Sequence, residues 1–179
     1  MASIGFAPET RKRVDIPQNK SIVQSMDTSK GHYEGLITEL KPHQIFMFGS
    51  NMEGRHGSGT AKIAREKYGA KYGVGEGRTG QSYALPTVGL NDAPRPSRTL
   101  DEIAESVENF YGYATENPDL EFLVAYRDDN HNLCGYSSEQ LAACFVARRA
   151  LEEVPPNVIF NKGFLTLIKE EDLQFALGQ

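Results

Sequence analysis

The chain has 179 residues, 39% of them hydrophobic, and a formal net charge of −5. That length suits one domain with a modest core, and the negative balance argues against a nucleic-acid binder that relies on bulk electrostatics. No apolar run reaches membrane-spanning length and no signal peptide is visible, so a cytoplasmic protein is expected. Cys134 and Cys144 are too few for a disulfide scaffold and are expected to be free thiols.

Residues 1–36 are polar, carry the basic triplet Arg11-Lys12-Arg13 and lack sustained periodicity. They read as an arm or an added strand before a domain spanning 37–179. Leu36-Ile37-Thr38 suits a short strand, and Leu40-Lys41-Pro42 a turn. Ile45-Phe46-Met47-Phe48 is an apolar run of buried-strand length. Gly49-Ser50-Asn51 and then Gly54, Gly57 and Gly59 follow at once. Thr60 to Tyr68 has helix-forming composition, and Gly69 stands where a helix would stop. Strand, glycine loop and helix start together form a recipe for holding a phosphate: the backbone can approach closely, and free N–H groups with the helix dipole favour an anion.

Gly73 to Gln81 is a second glycine-rich stretch, with Glu76 and Arg78 as its charged members. It reads either as a flap over a ligand, with Arg78 on a phosphate or Glu76 on a hydroxyl, or as a flexible hairpin. Ser82 to Leu85 predicts a strand ended by Pro86. A Pro-rich loop covers Asn91 to Ser97. Thr99 and Glu102 form a capping box for a helix whose core face is Ile103, Val107, Phe110 and Ala114. Asn117-Pro118 ends it. Phe122 to Tyr126 predicts a buried parallel strand. After a polar loop, Ser137 and Gln140 cap a helix predicted to run to about Glu153, with Leu141, Phe145 and Leu151 inward. Val158 to Phe160 predicts a last strand, and Lys169 to Leu177 a short closing helix. Strands alternating with helices predict an α/β sandwich with a largely parallel central sheet, and ligands in such sheets sit at the carboxyl ends of the strands.

The segments FGSNMEGRHGSGTAKIA and GEGRTGQSYALPT carry a resemblance. The chain resembles macrodomains, the modules that bind ADP-ribose, and in particular small macrodomain-like proteins of phages and bacteria. The resemblance covers about 37 to 164. It implies a three-layer α/β/α macrodomain-like sandwich and a site for ADP-ribose or a related NAD-derived nucleotide. Gly49, Ser50, Gly57, Ser58 and Gly59 would form the phosphate loop. Asn51 would hold the distal ribose, or else cap the glycine turn. Gln44 falls where relatives place an aspartate that accepts from adenine, or else is an exposed strand-end residue. His56 would donate to a phosphate or titrate in catalysis, or serve structurally.

The chain departs from these relatives at Arg127 to Tyr136, RDDNHNLCGY. It keeps Gly135-Tyr136 but replaces the earlier glycines with polar residues. That brings Asp128, Asp129, Asn130 and His131 toward the predicted cleft, as ligand contacts or as a solvated loop. In relatives that hydrolyse ADP-ribosyl bonds, one class has an aspartate where this chain has Ala61, and another has a lysine where it has Thr87-Val88-Gly89. Asp128 and Asp129 are the remaining catalytic candidates. The resulting expectation is a binder, the alternatives being an ADP-ribosyl hydrolase or a non-catalytic interaction scaffold. In a phage it would sequester an NAD-derived immune signal. The four histidines show no ligand spacing, so no metal and no cofactor are expected.

Overall fold

The computed structural model describes residues 26–90, 93–129 and 132–178. The basic triplet at 11–13 lies outside these residues. Six strands form one sheet in the order β1-β6-β5-β2-β4-β3. They are β1 (His32–Tyr33), β2 (Gln44–Asn51), β3 (Gly77–Thr79), β4 (Ser82–Val88), β5 (Glu121–Val124) and β6 (Val158–Asn161). All neighbours are parallel except β3 with β4. The helices are α1 (Gly59–Lys67), α2 (Leu100–Glu116), α3 (Ser138–Phe145) and α4 (Lys162–Gly178). Among the described residues, none is long and apolar enough to cross a membrane.

Alternation along the strands sends side chains to two unequal layers. Ile45, Met47, Tyr83, Leu85, Phe122, Val124 and Phe160 face α2, α3 and α4 in the larger core. Phe46, Phe48 and Ala84 face α1 through Ala61, Ala64 and Tyr68. Leu123 and Ile159 on that same side meet Met26 and Tyr33. The architecture is therefore a mostly parallel α/β sheet covered on both faces.

Both predicted capping boxes form. Thr99 Oγ1 accepts from the Glu102 amide at 3.1 Å, and Glu102 Oε1 accepts from the Thr99 amide at 2.8 Å. Ser137 and Gln140 reciprocate at 3.1 and 2.9 Å. The residues that the periodicity of α2 named, Ile103, Val107, Phe110 and Ala114, are all buried, and Ala104, Ser106 and Tyr111 are buried with them.

Several boundaries differ from the expectation. The first strand is His32–Tyr33, and Leu36 to Thr38 is irregular. Tyr33 is buried, and its hydroxyl donates to the Val124 carbonyl at 2.7 Å. Within residues 26–36, His32 and Tyr33 add a strand to the sheet, as the second reading of this segment expected. Strand β4 runs through Pro86 to Val88. The missing N–H is tolerated because β3 stops opposite Ala84, so Pro86 has no neighbour on that side. Helix α3 stops at Phe145, and Leu151–Glu153 is a separate 3₁₀ turn. The turn between them lets Arg148 and Arg149 reach Asp101 and Glu108 of α2. The closing helix starts at Lys162, directly after β6, where Asn161 Oδ1 accepts from the Gly163 amide at 2.8 Å.

One side chain joins three elements ahead of β6. Asn157 Nδ2 lies 2.9 Å from the Ala114 carbonyl, 3.1 Å from that of Asn117 and 3.0 Å from that of Leu120. The Ala114 and Asn117 carbonyls also accept from the Asn117 and Leu120 amides, so Asn157 adds a second donor at the end of α2 and reaches the turn into β5. Asn157→Ala is expected to cost about 1–3 kcal/mol. The check is a lower urea midpoint with an unchanged m value.

Candidate functional site

The chain leaves β2 toward α1 on one face of the sheet and leaves β5 toward α3 on the other. The two strands are neighbours. A crevice must open where adjacent connections diverge in this way. A cavity of about 360 Å³ lies there, within the usual size range of small-molecule sites. Gly49 to Asn51 and Arg55 to Ala61 form one wall. Ala125 to Arg127, Asn132 to Cys134 and Ser138 form the other. Thr87, Val88 and Arg95 close it from the β4 side. Its floor is apolar, including Met47, Leu85, Val124, Phe145 and Phe164.

The phosphate-loop expectation places Gly49, Ser50, Asn51, His56, Gly57, Ser58 and Gly59 together, and all line the cavity. Gly59 has a φ of +59° and opens α1. Ser58 is the N-cap, yet its hydroxyl makes no capping bond, and the first turn of α1 carries no acidic residue. The leading amides of α1 are therefore not occupied by a side-chain cap, unlike those of α2 and α3. Asn51 Oδ1 accepts from the Arg55 amide at 3.2 Å, so it does cap the turn while it faces the cavity.

His56 is nearly fully buried and packs edge-on against Phe48, with ring centroids 5.2 Å apart. Its φ of 51° makes it the non-glycine residue with left-handed backbone among those described. Nε2 lies 3.1 Å from the Val74 carbonyl, which can only accept, so Nε2 carries the proton. Nδ1 has no hydrogen-bond partner. Burial, opposed by the carbonyls of Val74 and Lys71, holds its pKa below the usual histidine value. His56 is thus neutral near pH 7 and cannot donate from Nδ1, which corrects the expected phosphate donation.

The second glycine stretch is not a flap over the cavity. The Gly73 amide donates to the Gly54 carbonyl at 2.8 Å, His56 donates to Val74, and Ser50 Oγ donates to the Gly75 carbonyl. The segment is a strap clamped behind the loop that follows β2. A Cβ on Gly54 would overlap the Val74 backbone, so only glycine allows this approach. Arg78 and Glu76 lie outside the cavity. Arg78 sits on edge strand β3 and donates to the Gly80 carbonyl at 3.1 Å, and Glu76 accepts from Asn109 at 3.3 Å.

Gln44 is also elsewhere. It opens β2, roughly 20 Å of strand away from the loop after Asn51. Its Oε1 accepts from the Lys41 amide at 2.9 Å, and its Nε2 donates to Glu121 at 3.0 Å. A residue at the amino end of a strand cannot share a site built on carboxyl ends. Gly135 and Tyr136 back the wall without lining it. Gly135 packs against the Arg95-Pro96 backbone, and the Tyr136 hydroxyl donates to the Arg98 carbonyl at 2.6 Å. Asp128 and Asp129 are exposed and outside the lining. Asn130 and His131 lie outside the described residues.

The sequence reading missed the charge of the cavity. Arg55, Arg95 and Arg127 all line it, and no Asp or Glu does among the described residues. Arg95 Nη1 donates to the Leu133 carbonyl at 2.5 Å, which joins the two loops over the crevice. The three arginines are far apart in sequence and lack a shared motif, so only convergence reveals them. Cys134 and Cys144 are both free, and burial pushes the Cys144 thiol up to about 12. Among the described residues, no group of His, Cys, Asp and Glu is arranged to hold a metal ion. Compared with known proteins, the chain matches no family model and no curated sequence.

His56 generates a pH prediction. Its folded pKa is depressed, so the unfolded chain binds the extra proton first as pH falls. Stability is complete above the unfolded value of about 6.5 and declines below it, by at most about 1.4 kcal/mol per pH unit. His56→Asn keeps a residue that accepts left-handed backbone. Urea midpoints between pH 7.5 and 5.5 should fall less steeply for the variant, whatever its absolute stability.

Proposed function

We propose that this cavity binds ADP-ribose or a related NAD-derived nucleotide and holds it without turnover. The observation that carries the reading is one crevice combining the uncapped start of α1, three arginines, no carboxylate among the described residues and an apolar floor. A diphosphate fits the amides and guanidinium groups, and the floor offers apolar surface to a base or ribose. The resemblance to macrodomains supplies the identity of the nucleotide. The mostly parallel sheet covered on both faces is compatible with a macrodomain-like fold.

The residues that face the crevice support the reading without turnover. Ala61 and Thr87 line it at the positions where hydrolytic relatives carry an acid or a lysine nearby. Asp128 and Asp129 are outside. His56 is neutral, but its one proton is engaged by Val74. Among the described residues, no carboxylate or lysine lines the crevice to serve as general acid or base. Held tightly, such a nucleotide would be withdrawn from its pool. In a phage that would be a counter-defence role.

Calorimetric titration with ADP-ribose, NAD and cyclic or amino-acid-linked ADP-ribose tests the reading. Binding with no new product by mass spectrometry is expected. Product formation would make the protein an ADP-ribosyl hydrolase, and no binding would leave a scaffold. Gly57 is the cleanest mutational probe. Its φ is not left-handed, and a Cβ there meets nothing within 4 Å. Gly57→Glu should remain folded, by unchanged melting temperature, and lose ADP-ribose binding because its carboxylate enters the anion site.

Asn51→Ala should weaken ADP-ribose several-fold, in line with about 0.5–1.5 kcal/mol for a neutral hydrogen bond. It should affect AMP less, since AMP lacks the distal ribose. Equal losses for both ligands would restrict Asn51 to capping the turn.

A further inference from the structure

Two of the arginines occupy equivalent places on opposite walls. Arg55 lies in the loop from β2 to α1, and Arg127 in the loop from β5 to α3. Each is held by a carboxylate two residues away in sequence. Arg55 Nε lies 2.7 Å from Glu53 Oε1, and Arg127 Nη2 lies 2.8 Å from Asp129 Oδ2. The arginines line the cavity and the carboxylates do not. All four side chains are partly open to solvent, at 47% and 30% for the first pair and 42% and 50% for the second.

Ion pairs with that exposure contribute little, because water screens them and long side chains must be ordered to form them. A guanidinium on a phosphate gains two parallel charge-assisted hydrogen bonds instead. The exchange therefore favours the phosphate once a ligand excludes water from the crevice. We infer that Arg55 and Arg127 are the anion contacts of this site, one from each wall, and that Glu53 and Asp129 are built-in counter-ions which a bound phosphate or diphosphate displaces. The inference rests on the nucleotide reading for the rest of the ligand, but the phosphate chemistry stands by itself. It gives Asp129 a role opposite to catalysis: the carboxylate competes with the ligand and sets how tightly it is held.

The test titrates ADP-ribose and inorganic pyrophosphate into the wild type and into R55Q, R127Q, E53Q, D129N and R78Q, each checked for an unchanged melting temperature. R55Q and R127Q should each weaken binding by about tenfold or more, as hydrogen bonds to charged groups do. E53Q and D129N should tighten it by about two- to fivefold. R78Q, on the distant edge strand, should change nothing. Wild-type affinity should fall as ionic strength rises. Undiminished binding in both arginine variants overturns the inference. So does a loss in E53Q and D129N as large as in the arginine variants, since the carboxylates would then be positioning groups. ADP-ribose binding with no arginine or salt dependence sinks this inference and leaves the nucleotide reading standing. Pyrophosphate binding with that dependence, and none by ADP-ribose, does the reverse. Failure of both probes on the wild type removes both.

Discussion

Neighbouring strands β2 and β5 send their chains to opposite faces of the sheet, and the site exists because of that divergence. Parallel strands end together, so the loops that follow them converge on one rim. Where the loops part, a cavity of about 360 Å³ is left. The crevice inherits the start of α1 from one face and the start of α3 from the other. The three arginines that face it sit on loops, while its floor is made of strand and helix side chains.

The loop after β2 is held from behind. A backbone hydrogen bond joins Gly73 to Gly54, and the side chains of Ser50 and His56 reach the carbonyls of Gly75 and Val74. Together they fix the approach of the glycines that line the cavity. His56 is the demanding member, with left-handed backbone, a buried ring and an unpartnered Nδ1. Such strain persists only where surrounding contacts over-determine it. The opposite loop is held differently, through Arg95 on Leu133 and Tyr136 on Arg98. One wall is braced by the sheet edge and the other by the segment before α2.

Electrostatically, the site inverts the protein around it. A chain with a formal charge of −5 gathers three arginines in one crevice, and among the described residues its carboxylates stay outside the lining. Net charge governs long-range encounter, but a concave, partly dry site is ruled by the groups within a few ångströms. The acidic surface and the basic cavity therefore coexist without conflict. The nearby carboxylates Glu53 and Asp129 keep the guanidinium groups compensated.

Local chemistry determined much of this protein from sequence alone. The apolar run at Ile45 to Phe48, the two capping boxes and the inward stripe of α2 are set by neighbours a few residues apart, and each forms as its spacing requires. The glycine loop was legible for the same reason, since strand, glycines and helix start are consecutive. What tertiary structure decided depends on distant partners. The strap at 73–75 reads from sequence as a flap or a flexible hairpin because its anchors lie about twenty residues earlier. Gln44 reads as near the site only until the direction of β2 places it at the far end. His32 and Tyr33 become a strand only because β6 offers an edge. The arginine-lined cavity is the furthest from legibility: its three cations come from three loops, and only the order of strands in the sheet brings them together.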